Sequence, residues 1–319
     1  ITNHVSEHYD AMYIGHMDTV FPDGTAEKRP FRIEGENYYG PGVGDMKNGD
    51  LAMFHIAANL PETEKKCLNI AMVYNPDEEI GSIYSKEITD RIGCQADHIF
   101  VMESAGKNGT RHCFARKGSL TYDIEFQGQA AHAGFMFEVE NASAVLEMGH
   151  YIVELMSLAD REKDTTVNVG IANGGTARNV VADHAKISVE MRFRDDSERI
   201  RLKEYVNKIT EGQPFVPGVK TTITMQKETP PFIKTEEAKK YIERVRKIAE
   251  EHGIPFEEKD RGGLSDANHL SRCGKAIVMD GMGPHGANDH SEKEYGYIGS
   301  VEPCVKLHLA ILNDMLNKQ

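Results

Sequence analysis

Six side chains in the first third of the chain have types and positions that could bind a metal ion and move a proton. His16 ends the apolar run "AMYIGH" and Asp18 follows it. Asp45 lies in the glycine-rich "YGPGVGDMKNG", Glu78 and Glu79 follow "LNIAMVY", and Glu103 ends "ADHIFVME". One histidine with several carboxylates and no clustered thiol suits Zn²⁺, with Mn²⁺ or Co²⁺ as alternatives. Each residue also has a plainer explanation. His16 can be a hydrogen-bonded loop residue, Asp45 a turn or helix-cap residue, "DEE" a solvated turn, and Glu103 a surface strand end. What distinguishes the group is that all six fall at or beyond strand ends. In an open parallel sheet, the crevice outside the carboxyl ends of the strands is where ligands bind.

The elements that must position them alternate between strand and helix, the pattern of an α/β protein with a mostly parallel sheet. "AMYIGH", "LNIAMVY", "ADHIFVME" and "KAIVMDG" read as buried strands. "GDLAMFHIAANL", "SIYSKEITDRI", "EEAKKYIERVRKIAEEHGI" and "VEPCVKLHLAILNDML" read as helices, the last with Pro303 in its first turn. The middle of the chain differs. "SLTYDIEFQG", "TTVNVGIANGG", "HAKISVEMRFR" and "KTTITMQ" read as half-exposed strands, and "NASAVLEMGHYIVELMSL" and "SERIRLKEYVNKI" as helices. Their β-α-β-β-α-β order is that of a ferredoxin-like α+β unit. The expected organisation is an α/β domain of residues 1–116 and 228–319, interrupted by an inserted domain of residues 117–227. "KETPPFIKT" is the expected return linker.

Composition narrows the function classes. Among 319 residues, 39% are hydrophobic and 27% charged, as in a soluble globular protein. The net charge of -13 argues against a nucleic-acid partner, which needs basic patches; "RVRKIAEEHG" reads as a solvated helix face. No apolar run approaches the roughly 18 residues of a membrane span, and no secretory hydrophobic region opens the sequence. The five cysteines are scattered and form no C-x-x-C pair, which predicts reduced thiols in a cytoplasmic protein.

Seven motifs in order, "GHMDTVFP", "YGPGVGDMKNG", "NPDEEIGS", "MESA", "QAAHAG", "GGLSDAN" and "NDHSEKEY", resemble the M20 metallopeptidases over nearly the whole chain. The likeness is above all to the glutamate carboxypeptidase branch; acetylornithine deacetylases and succinyl-diaminopimelate desuccinylases share the frame. The resemblance implies two Zn²⁺ per chain, with Co²⁺ or Mn²⁺ as alternatives, and a lid that also forms a homodimer. It implies that His16 and Glu103 ligate one metal, Glu79 and His290 the other, and that Asp45 bridges them. Asp18 resembles the aspartate that orients the metal-bound imidazole, and Glu78 the general base. His290 is preferred to His285 because "HS-x-x-E-Y" matches the family motif. In the inserted domain, His132 resembles the lid histidine that binds the tetrahedral intermediate across the dimer. Asn179 and Arg192 resemble the pair that engages a substrate carboxylate, with Arg194 separated from Arg192 by spacing alone. Gly262 and Gly263 resemble a substrate-contacting loop.

The base and the ligand must be different glutamates, because a carboxylate bound to metal cannot also take a proton from the attacking water. Neighbouring residues of an extended loop point different ways, so Glu79 can face the metal while Glu78 faces the substrate; Asp77 reads as a turn residue. Three departures from the family stand out. The chain begins close to its first catalytic strand where relatives carry a longer segment, so sheet completeness would depend on that segment. Asn48 replaces a common glycine, and "FMFEVENAS" replaces a polar, proline-containing stretch.

The expected activity is a dizinc hydrolase that cleaves an amide next to a free carboxylate of a small peptide or N-acyl amino acid. A carboxypeptidase releasing a C-terminal, glutamate-type amino acid is preferred over an N-acyl-amino-acid deacylase. A non-catalytic metal-stabilised binding protein is the remote alternative, and it predicts a missing base or ligand, whereas Glu78 and every ligand are present.

Overall fold

The apolar runs become a four-stranded parallel sheet in the computed structural model, which describes residues 1–4 and 6–317. Its order is Ile277–Met279, Ala96–Val101, Tyr9–His16, Ile70–Asn75. Parallel strands need long crossovers that lay helices on both faces, so they are buried on both sides. Ala11, Met12, Tyr13 and Ile14 are accordingly all fully buried. Ala11 and Tyr13 join Phe100 in a core that includes Met53 and Ile56, Ile242 and Val245, and Ile311 and Leu312. These residues come from the helices Asn48–Asn59, Glu236–Glu251 and Val301–Leu316. Met12 and Ile14 join Ile99, Val101 and Leu270 in a separate core.

The register of this sheet does the positioning. His16 pairs with Asn75, and Ile14 with Val101. Continuing the second pairing sets Glu103 abreast of His16, with the loop after Asn75 on the other flank. A second sheet, absent from the sequence reading, runs in the order Arg32–Glu34, Asn37–Tyr39, Tyr295–Tyr297, Gly283–Ala287, Ser104–Ala105. Strands of two to five residues, two of them containing glycine, leave no periodicity to read. This sheet packs against the glycine-rich turn that carries Asp45. A Cβ on Gly286 would lie 2.6 Å from the Gly44 Cα, so the approach requires glycine.

By internal packing the chain forms two compact units, Ile1–Arg116 with Phe232–Gln319, and Lys117–Pro231. The second is an antiparallel sheet ordered Lys220–Thr229, Gly118–Gln127, His184–Phe193, Thr166–Gly174. Leu120, Tyr122, Ile124 and Phe126 alternate along one strand into a core with Tyr151 and Leu155 of helix Ala144–Met156 and Leu202 and Val206 of helix Asp196–Glu211. That is the ferredoxin-like pattern. The last strand runs to Thr229 rather than 226, because a bulge between Met225 and Lys227 lets pairing continue to Ser119. The chain therefore returns at Phe232 rather than residue 228. There Phe232 and Arg116 exchange backbone hydrogen bonds of 3.0 and 3.1 Å.

"SIYSKEITDRI" is only partly helical, over Lys86–Gly93. Asp77 holds the preceding residues as turns: its buried carboxylate accepts the Tyr84 and Ser85 N–H groups at 2.6 and 3.3 Å. No helix of the described residues is long and apolar enough to cross a membrane.

Two buried histidines make the first unit sensitive to acid. His112 Nδ1 donates to the Gly281 carbonyl and His308 Nε2 to the Met282 carbonyl, each at 2.9 Å. Burial pushes both imidazoles down to about 4 from the usual 6.5. Protons then bind the unfolded chain preferentially, so this stability is complete above about pH 6.5 and is lost as pH falls toward 4, by on the order of 3 kcal/mol per histidine. We expect the urea midpoint to fall between pH 7 and 5, and His308→Gln to remove about one proton's share of that slope.

Candidate metal centre

His16 is buried at the end of its strand with both ring nitrogens engaged. Nδ1 lies 3.3 Å from Asp18 Oδ1. Nε2 lies 3.1 Å from Asp45 Oδ1, 3.6 Å from Glu103 Oε1 and 4.0 Å from Glu78 Oε2. Asp18 reaches further than the imidazole: its two oxygens accept the Glu78 and Glu79 N–H groups at 3.2 and 3.0 Å. One aspartate thus holds both the ring and the loop that carries the glutamates.

The opposite side is built from "NDHSEKEY". His290, with φ of 60°, sets Nε2 3.0 Å from Asp45 Oδ2 and 3.3 Å from Glu79 Oε2. The two oxygens of Asp45 therefore face two imidazoles, one each. The donor atoms of His16, Asp45 and Glu79 lie within 4.8 Å of one another, as do those of His16, Glu78 and Glu103. Proximity alone does not separate Glu78 from Glu79; the contact with His290 belongs to Glu79.

Burial and mutual repulsion raise the three glutamates of the crevice, while hydrogen bonds to the imidazoles keep Asp18 and Asp45 low. Burial and then Asp45 push the Glu79 carboxyl up to about 7. Burial, then Glu103 and Asp266, hold Glu78 well above the usual range, and burial with Asp45 raises Glu103. His16 is raised as well: burial opposes its charge, but hydrogen bonds to Asp18, Asp45 and Glu103 outweigh that. Glu79 Oε1 is also buried with no hydrogen-bond partner, an arrangement that costs about 1–3 kcal/mol for an ordinary polar group. Divalent cations would relieve both the crowding and the orphaned oxygen. Two imidazoles and carboxylates without thiol form a donor set that fits Zn²⁺, Co²⁺ or Mn²⁺.

Glu294 supports Asp45, and the sequence marks it only as part of a motif. Its buried carboxylate accepts the N–H groups of Gly42, Gly44 and Asp45 at 2.9, 2.8 and 3.0 Å. Its one sequence signal was its place four residues after His290. Asn48 is buried and donates to Ser104 Oγ at 3.3 Å. His285 stands apart from the carboxylates, with Nδ1 2.9 Å from the Ala105 carbonyl. A Cβ at Gly262 would meet nothing within 4 Å, and one at Gly263 only Arg116 Nη1 at 3.7 Å, so protein packing does not demand either glycine.

In the inserted unit His132 and Asn179 are neighbours. His132 bridges Val180, and the Ala133 N–H donates to the Asn179 carbonyl at 2.9 Å. The exposed His132 ring accepts the Gly134 N–H at 3.1 Å. Arg192 is elsewhere, eight residues along its strand from His184, or about 26 Å at the rise of a β-strand. Its guanidinium pairs with Glu190 at 2.7 Å, and that of Arg194 with Asp164 at 2.8 Å. Within one chain the three sequence-predicted residues do not form one group.

Residues 12–314 match the family model described as peptidase family M20/M25/M40. The chain is 26% identical over 308 residues to carboxypeptidase G2 from Pseudomonas sp. (strain RS-16), covering 95% of this chain and 73% of that protein. It is 24% identical over 323 residues to a succinyl-diaminopimelate desuccinylase from Halorhodospira halophila, covering 95% and 82%. Among solved structures, a tripeptidase from Staphylococcus aureus superposes with a TM-score of 0.80 at 22% identity, covering 99% of this chain and 83% of that one. An M20 family metallo-carboxypeptidase from Sulfolobus solfataricus gives a TM-score of 0.73 at 16% identity, covering 99% and 87%.

Glu294→Ala should leave three N–H groups without an acceptor and lower unfolding stability by about 3 kcal/mol, with a smaller loss for Glu294→Gln. Urea titration reads both, and equal stability of Glu294→Ala and wild type would rule out this support role.

Proposed function

The chain belongs to peptidase family M20/M25/M40, a family of metallopeptidases and amidohydrolases, and on that premise we propose that it is a metallo-carboxypeptidase. It cleaves the amide next to a free carboxylate and releases a C-terminal amino acid of the glutamate type. The observation that carries the metallohydrolase reading is Asp45, with one carboxylate oxygen facing His16 and the other facing His290; the preference for a carboxypeptidase is supported by the likeness to carboxypeptidase G2 over 95% of the chain. We read the cofactor as two Zn²⁺, which His16, Glu103 and Asp45, and Asp45, Glu79 and His290, would hold.

Bound there, such ions lower the pKa of water and polarise a carbonyl. The remaining work falls to the protein. Glu78 takes the proton of the attacking water and passes it to the leaving nitrogen, as a carboxylate left off the metals can. Asp18 keeps His16 in one tautomer and fixes the backbone between Glu78 and Glu79. We assign His132 to the developing oxyanion, and Asn179 and Arg192 to the substrate carboxylate, which the planar fork of arginine matches. Their separation along the sheet suits a homodimer in which His132 and Arg192 of one site come from different protomers. The outer strand Thr166–Gly174 has an open edge, and Leu146, Val153 and Met156 of helix Ala144–Met156 are exposed, as a dimer face requires. Five free cysteines are in keeping with a cytoplasmic setting.

A second reading, N-acyl-amino-acid deacylase, is favoured by the likeness to a desuccinylase over 95% of the chain. The same residues would act, on a different acyl group.

Glu78→Gln should keep its metal, measured by elemental analysis, and lose about 10²- to 10⁴-fold in turnover. Unchanged turnover would remove Glu78 from the mechanism. Release assays on dipeptides ending in glutamate, beside N-acetyl and N-succinyl amino acids, separate the two readings. A monomeric wild type in sedimentation would overturn the dimer.

A further inference from the structure

The loop that bears Glu78 and Glu79 has no apolar anchor. Ile80, Ile83 and Tyr84 are 55%, 67% and 79% exposed. Something polar must hold it, and Asp18 grips only its middle.

We propose that Asp266, in "GGLSDAN", is a positioning residue that clamps both ends of this loop and so sets where Glu78 and Glu79 stand. The proposal rests on the roles given to those two glutamates above. Asp266 is buried and bonded at every oxygen. Oδ2 accepts Asn75 Nδ2 at 2.7 Å; Oδ1 accepts Ser82 Oγ at 2.5 Å and lies 2.9 Å from His269 Nε2. Asn75 ends the strand before the glutamates and Ser82 closes the loop after them, in the left-handed region at φ of 55°. Asn75 also orders the entry, its Oδ1 accepting the Asp77 N–H at 3.1 Å. One carboxylate thus spans seven residues of sequence and fixes the mouth of the loop.

The clamp is itself anchored away from the loop. Ser265 Oγ donates to Asp280 Oδ2 at 2.7 Å, and Asp280 pairs with the buried Arg116, whose Nη1 donates to the Leu264 carbonyl at 3.0 Å. His269 supplies the counter-charge: its two ring nitrogens face Asp266 and, at 2.5 Å, Asp90 Oδ1. Burial works against the imidazolium, but the two carboxylates outweigh it. A carboxylate buried with a dedicated cation, and with two of its donors taken from the two ends of one loop, is built to hold that loop. An apolar residue would serve a plain core better.

The test uses the full chain loaded with Co²⁺, reading its visible spectrum together with kcat, KM and thermal midpoint. Asp266→Asn puts an amide against Asn75 Nδ2. We expect an altered Co²⁺ spectrum, a kcat lower by about 10- to 100-fold and a KM changed by less than about threefold. Pairing it with Asn75→Asp reverses donor and acceptor and should recover about tenfold in kcat, which a general loss of stability would not produce. Ser82→Ala, which removes one hydroxyl, should lower kcat by about three- to tenfold in a folded protein, and it decides the matter if Asp266→Asn does not fold. An unchanged kcat and spectrum in Asp266→Asn, no recovery in a folded swap, or an unaffected Ser82→Ala would each overturn the clamp. If wild type hydrolyses no substrate yet Asp266→Asn still shifts the Co²⁺ spectrum, the clamp stands and the proposed activity falls.

Discussion

Carboxylates withdrawn from water repel one another, and this molecule gathers Asp18, Asp45, Glu78, Glu79 and Glu103 into one crevice. Much of the surrounding structure answers that constraint. Parallel register brings the bearing segments side by side whether or not their side chains agree. Backbone N–H groups then take up part of the charge: Asp18 accepts two and Glu294 three. Two imidazoles face the oxygens of Asp45, and the arrangement still leaves a buried Glu79 oxygen without a partner. The crevice carries more negative charge than its own hydrogen bonds satisfy, which is the condition under which a site retains divalent cations.

The parts of this design that a single sequence exposes are those tied to local pattern. The central strands are continuous apolar runs because both faces are covered, and the residue that ends each run is displayed at the sheet edge, so His16 and Glu103 stood out. The α/β class follows from the alternation of these runs with helical segments, and the likeness to the M20 family from the order of the motifs. The parts that stayed hidden depend on distance along the chain. Glu294 binds amides about 250 residues away, and Asp266 binds Asn75 across 191. Neither has a composition or a period that marks it. The five-stranded sheet was hidden for a different reason, since its strands are too short to alternate. Arg192 shows a third limit: a ten-residue strand sets where it stands relative to Asn179, and motif order does not carry that distance.

Asp77 shows how neighbouring residues of one type separate. Three acidic residues in a row share a charge, yet each meets a different environment. Asp77 turns inward to hold the turns that precede the next helix, Glu79 turns to His290, and Glu78 remains beside His16. The backbone that permits this is pinned at its middle by Asp18. Identity of side chain says little about role in such a run; the direction of each Cβ decides it.

The paired hydrogen bonds between Arg116 and Phe232 have a consequence for how this chain came to be assembled. The inserted unit leaves and rejoins its host through two residues that are already partners in a β-bridge. The host backbone is therefore closed at that point, whatever lies between, and a turn of a few residues could join the two ends without threading or strain. A fold with such a seam can exchange its insert as a cassette. Residues 117–231 can then vary as a block, while the crevice of His16, Asp45, Glu79, Glu103 and His290, which lies wholly in the host unit, is kept.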